Sequence, residues 1–241
     1  MKHALVTGAT GGIGRAIALA LRDNGHHVTA LGRDPAALAD LAREPGITPL
    51  ALDMTDRPAL RAAVADLAPD VLVNNAGMMP PLAPFDQLDE GEIDRAITVN
   101  LTSTLALTRL LLPAMIANGA GHIFFTGSTA GHAPFANLAL YCATKSAIAG
   151  FAQSLRLDLA PHGLRVTEIV AGRVETGLYR DRLPEDARKA MYQGGQAVQP
   201  QDVAQMVLAV LNMPPHVDVS RFDILPTRQG VPTGSAGKDK T

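Results

Sequence analysis

Cysteine is nearly missing from this chain. The single Cys142 excludes an intrachain disulfide and any cysteine-based zinc site. An excess of one charge is missing too. Lys and Arg number 21 against 23 Asp and Glu, and a formal net charge of −2 gives no broad electrostatic reason to expect nucleic acid or an anionic membrane as partner. No uninterrupted apolar run reaches the roughly 18 residues of a membrane span. The opening Met-Lys-His-Ala-Leu-Val-Thr-Gly leads straight into a strand pattern without the features of a signal peptide, so the expected location is cytoplasmic. The 7 histidines are scattered, and the adjacent His26-His27 falls on a predicted turn. No metal site is expected.

What the chain does have is apolar bulk: 47% hydrophobic and 18% charged residues over 241 positions, enough for a sizeable core in a soluble α/β protein. Short β-branched or aliphatic runs alternate with longer helical patterns, as a parallel sheet with crossover helices requires. The runs His3–Thr7, His27–Leu31, Thr48–Leu52, Val71–Asn74, His122–Thr126, Arg165–Val170 and Phe222–Leu225 predict seven strands. Asp34-Pro35, Asp56 and Asp89 mark helix starts, the last opening a long helix to Asn118-Gly119. A second long helix spans Leu138 to Ala160, and Glu185–Gln193 and Gln201–Leu211 follow prolines. Nothing divides residues 1–229, which are expected to form one domain; 230–241 reads as a disordered tail.

Two patterns carry chemistry. Thr7-Gly8-Ala9-Thr10-Gly11-Gly12-Ile13-Gly14 joins the first strand to a helix, where glycines permit a sharp turn and let backbone N–H groups approach a pyrophosphate at a helix N-terminus. Tyr141 and Lys145 are four residues apart on a predicted helix and so share one face, with Ser128 thirteen residues before the tyrosine. A phenol beside a fixed ammonium, with a hydroxyl from a strand end, is a plausible acid/base site. Each residue also has an ordinary explanation: a packed tyrosine, a surface lysine, a serine capping a turn.

The spacing Gly8, Gly12, Gly14 resembles the short-chain dehydrogenase/reductase family, and further motifs in the same order strengthen the resemblance. These are Asp53 after the third strand, Asn74-Asn75-Ala76-Gly77 after the fourth, Asn100 on the long helix, Ser128, and Tyr141-x-x-x-Lys145. The match runs from Leu5 to Thr176, and Pro226-Thr227-Arg228-Gln229 is similar to the C-terminal strand of some members. The resemblance implies a single Rossmann-type domain, a doubly wound seven-stranded parallel sheet with helices on both faces. It implies Asn100, Ser128, Tyr141 and Lys145 as catalytic residues. Cofactor contacts are implied at Gly8, Thr10, Gly11, Gly12, Ile13, Gly14, Asp53, Met54, Asn75, Ala76, Gly77, Tyr141, Lys145, Gly172, Val174 and Thr176. One departure is visible: the family's Pro-Gly after strand six reads Ala171-Gly172 here, which removes a stiffening proline beside the nicotinamide.

Strand two ends Leu31-Gly32-Arg33-Asp34. NAD-selective relatives place a carboxylate where this chain has Gly32, while Arg33 offers a guanidinium to a 2′-phosphate. Asp34 is read as a helix cap. The expected cofactor is therefore NADP(H). A free tyrosine has a pKa of about 10, so a phenol acting near neutrality is expected to be tuned by Lys145 and by the positive nicotinamide. By resemblance, Lys145 also holds the ribose and Asn100 a relay water, and Ser128 bonds the substrate oxygen.

The expected reaction interconverts a carbonyl and an alcohol on a small molecule. Reduction of a C=N bond and a dinucleotide sensor without catalysis are the alternatives. Residues 177–200 are read as a substrate lid presenting Leu178, Tyr179, Leu183, Met191 and Tyr192. Met78, Met79, His132 and Phe135 are candidates for the substrate mouth, and Cys142 for packing. The apolar long helices, with Leu105, Leu107, Leu110, Leu111 and Leu112 on one and Ala143, Ala147, Gly150 and Phe151 on the other, suggest a homodimer or homotetramer.

Overall fold

The computed structural model describes residues 2–192 and 197–227. The tail at 230–241, the Arg228-Gln229 end of the C-terminal motif and positions 193–196 of the lid segment lie outside the described residues.

Seven strands form one parallel sheet in the order β3-β2-β1-β4-β5-β6-β7. They are β1 (His3–Thr7), β2 (His27–Gly32), β3 (Ile47–Ala51), β4 (Val71–Asn74), β5 (Gly121–Thr126), β6 (Leu164–Ala171) and β7 (Arg221–Ile224). All seven predicted strands exist, with ends shifted by a residue or two. The helices are α1 (Gly12–Asp23), α2 (Pro35–Leu41), α3 (Arg57–Val64), α4 (Glu90–Ile97), α5 (Ser103–Asn118), α6 (Ala139–Leu159), α7 (Glu185–Met191) and α8 (Pro200–Leu211).

Alternation along each strand sends side chains to two cores. Ala4, Val6, Val28, Val73 and Phe124 meet Ile17 and Leu21 of α1 and Val203 and Val207 of α8 on one face. Leu5, Leu72, Ile123 and Phe125 meet Leu60 of α3, Leu107 and Leu111 of α5 and Ile148 and Leu155 of α6 on the other. Full burial of one such leucine contributes roughly 2 kcal/mol.

Helix starts follow their caps. Asp34 Oδ1 accepts from the Ala36 and Ala37 N–H groups at 2.9 and 3.1 Å, Asp56 from Ala59 at 3.0 Å, and Asp89 from Gly91 at 2.8 Å. Gly119 and Gly163 end α5 and the turn after α6 with φ of 66° and 71°, the left-handed conformation that glycine adopts without a Cβ penalty.

One expectation needs correction. The predicted helix from Asp89 to Asn118 is interrupted by a wide π-helical turn over Thr98–Thr102. The same stretch, Glu90–Asn118, is long and apolar enough by length and composition to cross a membrane, although no uninterrupted apolar run suggested it. Here Leu107, Leu111 and Met115 lie in the core against the sheet.

Candidate active site

The C-terminal strand ends of β1, β4, β5 and β6 open into one cleft of about 600 Å³. Thr7, the last residue of β1, organises its floor. The Thr7 hydroxyl donates to the Val73 carbonyl at 3.2 Å and accepts from the Asn75 and Ala76 N–H groups, both at 2.9 Å. Asn75 continues the lacing: Nδ2 donates to the Thr7 carbonyl at 3.1 Å, and Oδ1 accepts from the Thr126 hydroxyl at 3.2 Å. The Asn75 side chain thus ties three strand ends together.

The Gly-rich turn lies against this floor. Gly8 and Gly12 have φ of 64° and 52°. A Cβ on Gly14 would collide with the Gly8 carbonyl and the Asn75 amide, so Gly14 serves close packing of the turn and does not line the cleft. The other expected cofactor residues do line it: Gly8, Thr10, Gly11, Gly12, Ile13, Arg33, Asp53, Met54, Asn75, Ala76, Gly77, Gly172, Val174 and Thr176.

At the end of β2, Thr10 fills the space beside Gly32, its methyl 2.5 Å from where a Cβ would stand. A carboxylate at position 32 would displace Thr10. Asp34 is occupied in capping α2, as expected. Arg33 lies at the cleft edge near Asp53, whose carboxyl is held below the usual range by hydrogen bonds from the Thr55 N–H and hydroxyl, with Arg33 and Arg95 adding to the effect.

The catalytic candidates gather at the other end. Ser128, Tyr141 and Lys145 line the cleft; Asn100 lies behind it. Tyr141 is 7% exposed and packs with Met79 and Ala130, while Tyr179, Phe135 and Cys142 flank the cluster. Lys145 Nζ stands 5.7 Å from the Tyr141 ring centroid and donates to the Thr126 carbonyl at 2.7 Å. Burial pulls the Lys145 ammonium down to about 8, partly offset by Glu168.

In the protein alone, burial sets the state of the phenol. Burial, aided by Tyr179, pushes Tyr141 well above the usual phenol range, and the nearby Ser128 hydroxyl offsets only part of this. Lys145 does not by itself lower it. The protein alone keeps Tyr141 a protonated donor, because desolvation disfavours the phenolate.

Asn100 sits in the π-helical turn, where the widened backbone turns its amide toward the loop after β4. Its Oδ1 accepts from the Met78 N–H at 2.7 Å, and Nδ2 donates to the Met78 carbonyl at 2.9 Å and more weakly to the Thr144 hydroxyl at 3.4 Å. Asn100→Ala is expected to destabilise the fold by roughly 2 kcal/mol, since Met78 would lose both partners. Urea denaturation would read this as a lower midpoint at unchanged slope.

The loop after β6 lacks the stiffening proline, and another device holds it. The Val198 N–H donates to the Arg173 carbonyl at 3.1 Å and the Glu175 N–H to the Val198 carbonyl at 2.9 Å, a parallel bridge that pins Val174. Beyond it, Leu178 and Tyr179 line the cleft, Tyr192 faces a neighbouring depression, and Leu183 and Met191 line neither. Met78 reaches the cleft and Met79 is core. His132 and Phe135 do not line it: His132 turns toward Glu168, and Phe135 packs against the Tyr141 cluster. Sequence reading missed Arg95, Arg173 and Arg180 at the cleft.

Residues 2–187 match the family model described as short chain dehydrogenase. The chain is 46% identical over 229 residues to an uncharacterized short-chain type dehydrogenase/reductase of Sinorhizobium fredii, covering 95% of this chain and 92% of that protein. It is 37% identical to the NADP-dependent 3-hydroxy acid dehydrogenase of Salmonella typhi, covering 93% and 95%. Among solved structures it resembles the closed form of serine dehydrogenase complexed with NADP+, with a TM-score of 0.91, 33% identity, and 95% and 97% of the two chains covered.

Proposed function

We propose that this chain, which belongs to the short-chain dehydrogenase/reductase family, is an NADP(H)-dependent oxidoreductase that interconverts a carbonyl and an alcohol. The observation that carries this reading is the convergence of Ser128, Tyr141 and Lys145 on the cleft that the Gly-rich turn and Arg33 also line.

The residues fit the dinucleotide. Open space beside Gly11, the left-handed Gly8 and Gly12, and the N-terminus of α1 suit a pyrophosphate. Arg33 without a carboxylate at Gly32 suits a 2′-phosphate. NADP(H) would be held by these groups and by Val174, Thr176 and Lys145, and it supplies or accepts the hydride. Arg33→Ala is expected to weaken NADPH binding by about 10- to 100-fold, the worth of a charge-assisted contact. NADH binding should be unchanged in the same fluorescence titration; equal losses for both would contradict the assignment.

In the reducing direction, the Tyr141 phenol gives its proton to the substrate oxygen as that oxygen takes up negative charge. The Ser128 hydroxyl donates a hydrogen bond to the same oxygen and orients it. Lys145, charged below about pH 8, stabilises the phenolate left behind. Asn100 holds Met78 and with it the wall of the site. For oxidation the same steps run backwards.

As substrate we propose a short 3-hydroxy acid and its oxo partner. The named relatives act on 3-hydroxy acids or serine, itself a 3-hydroxy acid. Arg95, Arg173 and Arg180 line the cleft and offer cations to a carboxylate. The test is NADPH formation from NADP+ with L-serine and DL-3-hydroxybutyrate. NADPH binding without turnover of these or of a carbonyl panel would favour a dinucleotide sensor instead.

The segment 177–200 is proposed as the substrate lid. Arg182 ties it to the segment after β4, Nε donating to the Met79 carbonyl at 2.8 Å. A homodimer or homotetramer is proposed from the outer face of α6, where Ala143, Ala147 and Gly150 are exposed at helical spacing and Leu157 is 64% exposed.

A further inference from the structure

Glu168 is a buried carboxylate whose one part in the chemistry above is to offset some of the charge that burial takes from Lys145. It lies on β6, on the face covered by α6, and is 1% exposed. A buried carboxylate is costly unless paired, so its partners are informative. Oε1 lies 2.9 Å from Nε2 of His132, and Oε2 is buried with no hydrogen-bond partner among the described residues. Gly127 rests on the same carboxylate so closely that a Cβ at Gly127 would collide with Oε1.

These two contacts grip opposite ends of the turn that carries Ser128. Gly127 enters the turn, and His132 leaves it, its N–H donating to the Thr129 carbonyl at 3.0 Å. Between them the Ser128 hydroxyl oxygen accepts from the Ala130 N–H at 3.1 Å, and the Gly131 N–H donates to the Ser128 carbonyl at 2.9 Å. The far side of the turn is pressed on α6. There the Ser146 hydroxyl donates to the Gly131 carbonyl at 2.9 Å, and a Cβ on Gly131 would stand 2.9 Å from the Lys145 carbonyl oxygen.

We propose that Glu168 and His132 are positioning residues that clamp the Gly127–His132 turn and so fix the Ser128 hydroxyl toward the substrate oxygen. The proposal rests on the catalytic reading of Ser128 given above. An error of about 1 Å in a group that must meet a reacting oxygen costs about 100-fold in rate, which makes a rigid turn worth a buried carboxyl group.

His132 is accessible on its outer side, so His132→Ala is the variant least able to harm the core. With NADP+ and L-serine or DL-3-hydroxybutyrate, kcat is expected to fall about tenfold while NADPH affinity and melting temperature hold. Glu168→Gln, whose amide oxygen still accepts from His132, is expected to keep the Ala130 and Gly131 amides as protected from exchange as in the wild type. In a Ser128→Ala background, His132→Ala should cost nothing further, because the clamp acts through Ser128. An unchanged kcat for His132→Ala, or a full additional loss in the Ser128→Ala background, overturns the proposal.

A second arm needs no substrate. In the NADP+-bound protein, amide exchange at Ala130 and Gly131 should speed up in His132→Ala, and unchanged protection there also overturns the clamp. If wild-type protein turns over neither probe, the functional reading fails and the exchange arm still decides the clamp.

Discussion

Tyr141→Phe is expected to lower carbonyl reduction and alcohol oxidation by about 1000-fold while NADPH binds as tightly as to the wild type. General acid/base groups contribute about 100- to 10,000-fold, and Tyr141 is the protonated group lining the cleft beside Ser128. Phenylalanine fits the same space between Met79 and Ala130, so folding should be little affected. Steady-state rates with equilibrium dinucleotide titrations separate the two effects. A variant retaining a tenth of wild-type activity would remove Tyr141 from the proton path.

Lys145→Met should act on both rate and binding. Lys145 is 7% exposed, and its ammonium donates to the Thr126 carbonyl at 2.7 Å. Its loss leaves that carbonyl unpaired and removes the cation nearest the phenolate. A fall of about 100-fold in kcat, with NADPH affinity weakened about tenfold, is the expected outcome.

The pH dependence follows from the same burial. The Lys145 pKa is lowered to about 8, so its charge is present below that pH and lost as pH rises through it. Reduction by the wild type should decline above about pH 8. Lys145→Arg keeps its charge throughout, and its profile should lack that decline. The same falling limb in Lys145→Arg would assign it to another group.

The sheet was legible because each buried strand reads as a short apolar run between turn signals, and the caps Asp34, Asp56 and Asp89 made their helices' starts explicit. The cleft residues were legible for a different reason: they sit in short motifs at strand ends, where spacing alone brings them to one sheet edge. Periodicity had no means of showing the π-helical turn around Asn100, because α5 is apolar nearly all round and the phase slip of one inserted residue leaves no visible break in it.

The burial of Tyr141 was not legible, since its desolvation depends on Met79, Ala130 and Tyr179 packing around the ring from distant positions. Glu168 did leave a signal that passed unused. A carboxylate in the otherwise uncharged strand run Val166-Thr167-Glu168-Ile169-Val170 demands a buried partner. Sequence does not say that His132 is that partner, or that both hold Ser128.

The central claim is direct hydride exchange between NADP(H) and a carbonyl carbon in a site where Tyr141 handles the proton. Its most direct test uses NADPH carrying deuterium at C4 of the nicotinamide, incubated with the protein and acetoacetate, the oxo partner of 3-hydroxybutyrate. Mass spectrometry of the product should find deuterium on the carbinol carbon with wild-type protein, and product forming about 1000-fold more slowly with Tyr141→Phe. A 3-hydroxybutyrate product free of deuterium from both hydrogens of C4, or one formed equally by Tyr141→Phe, would contradict the account.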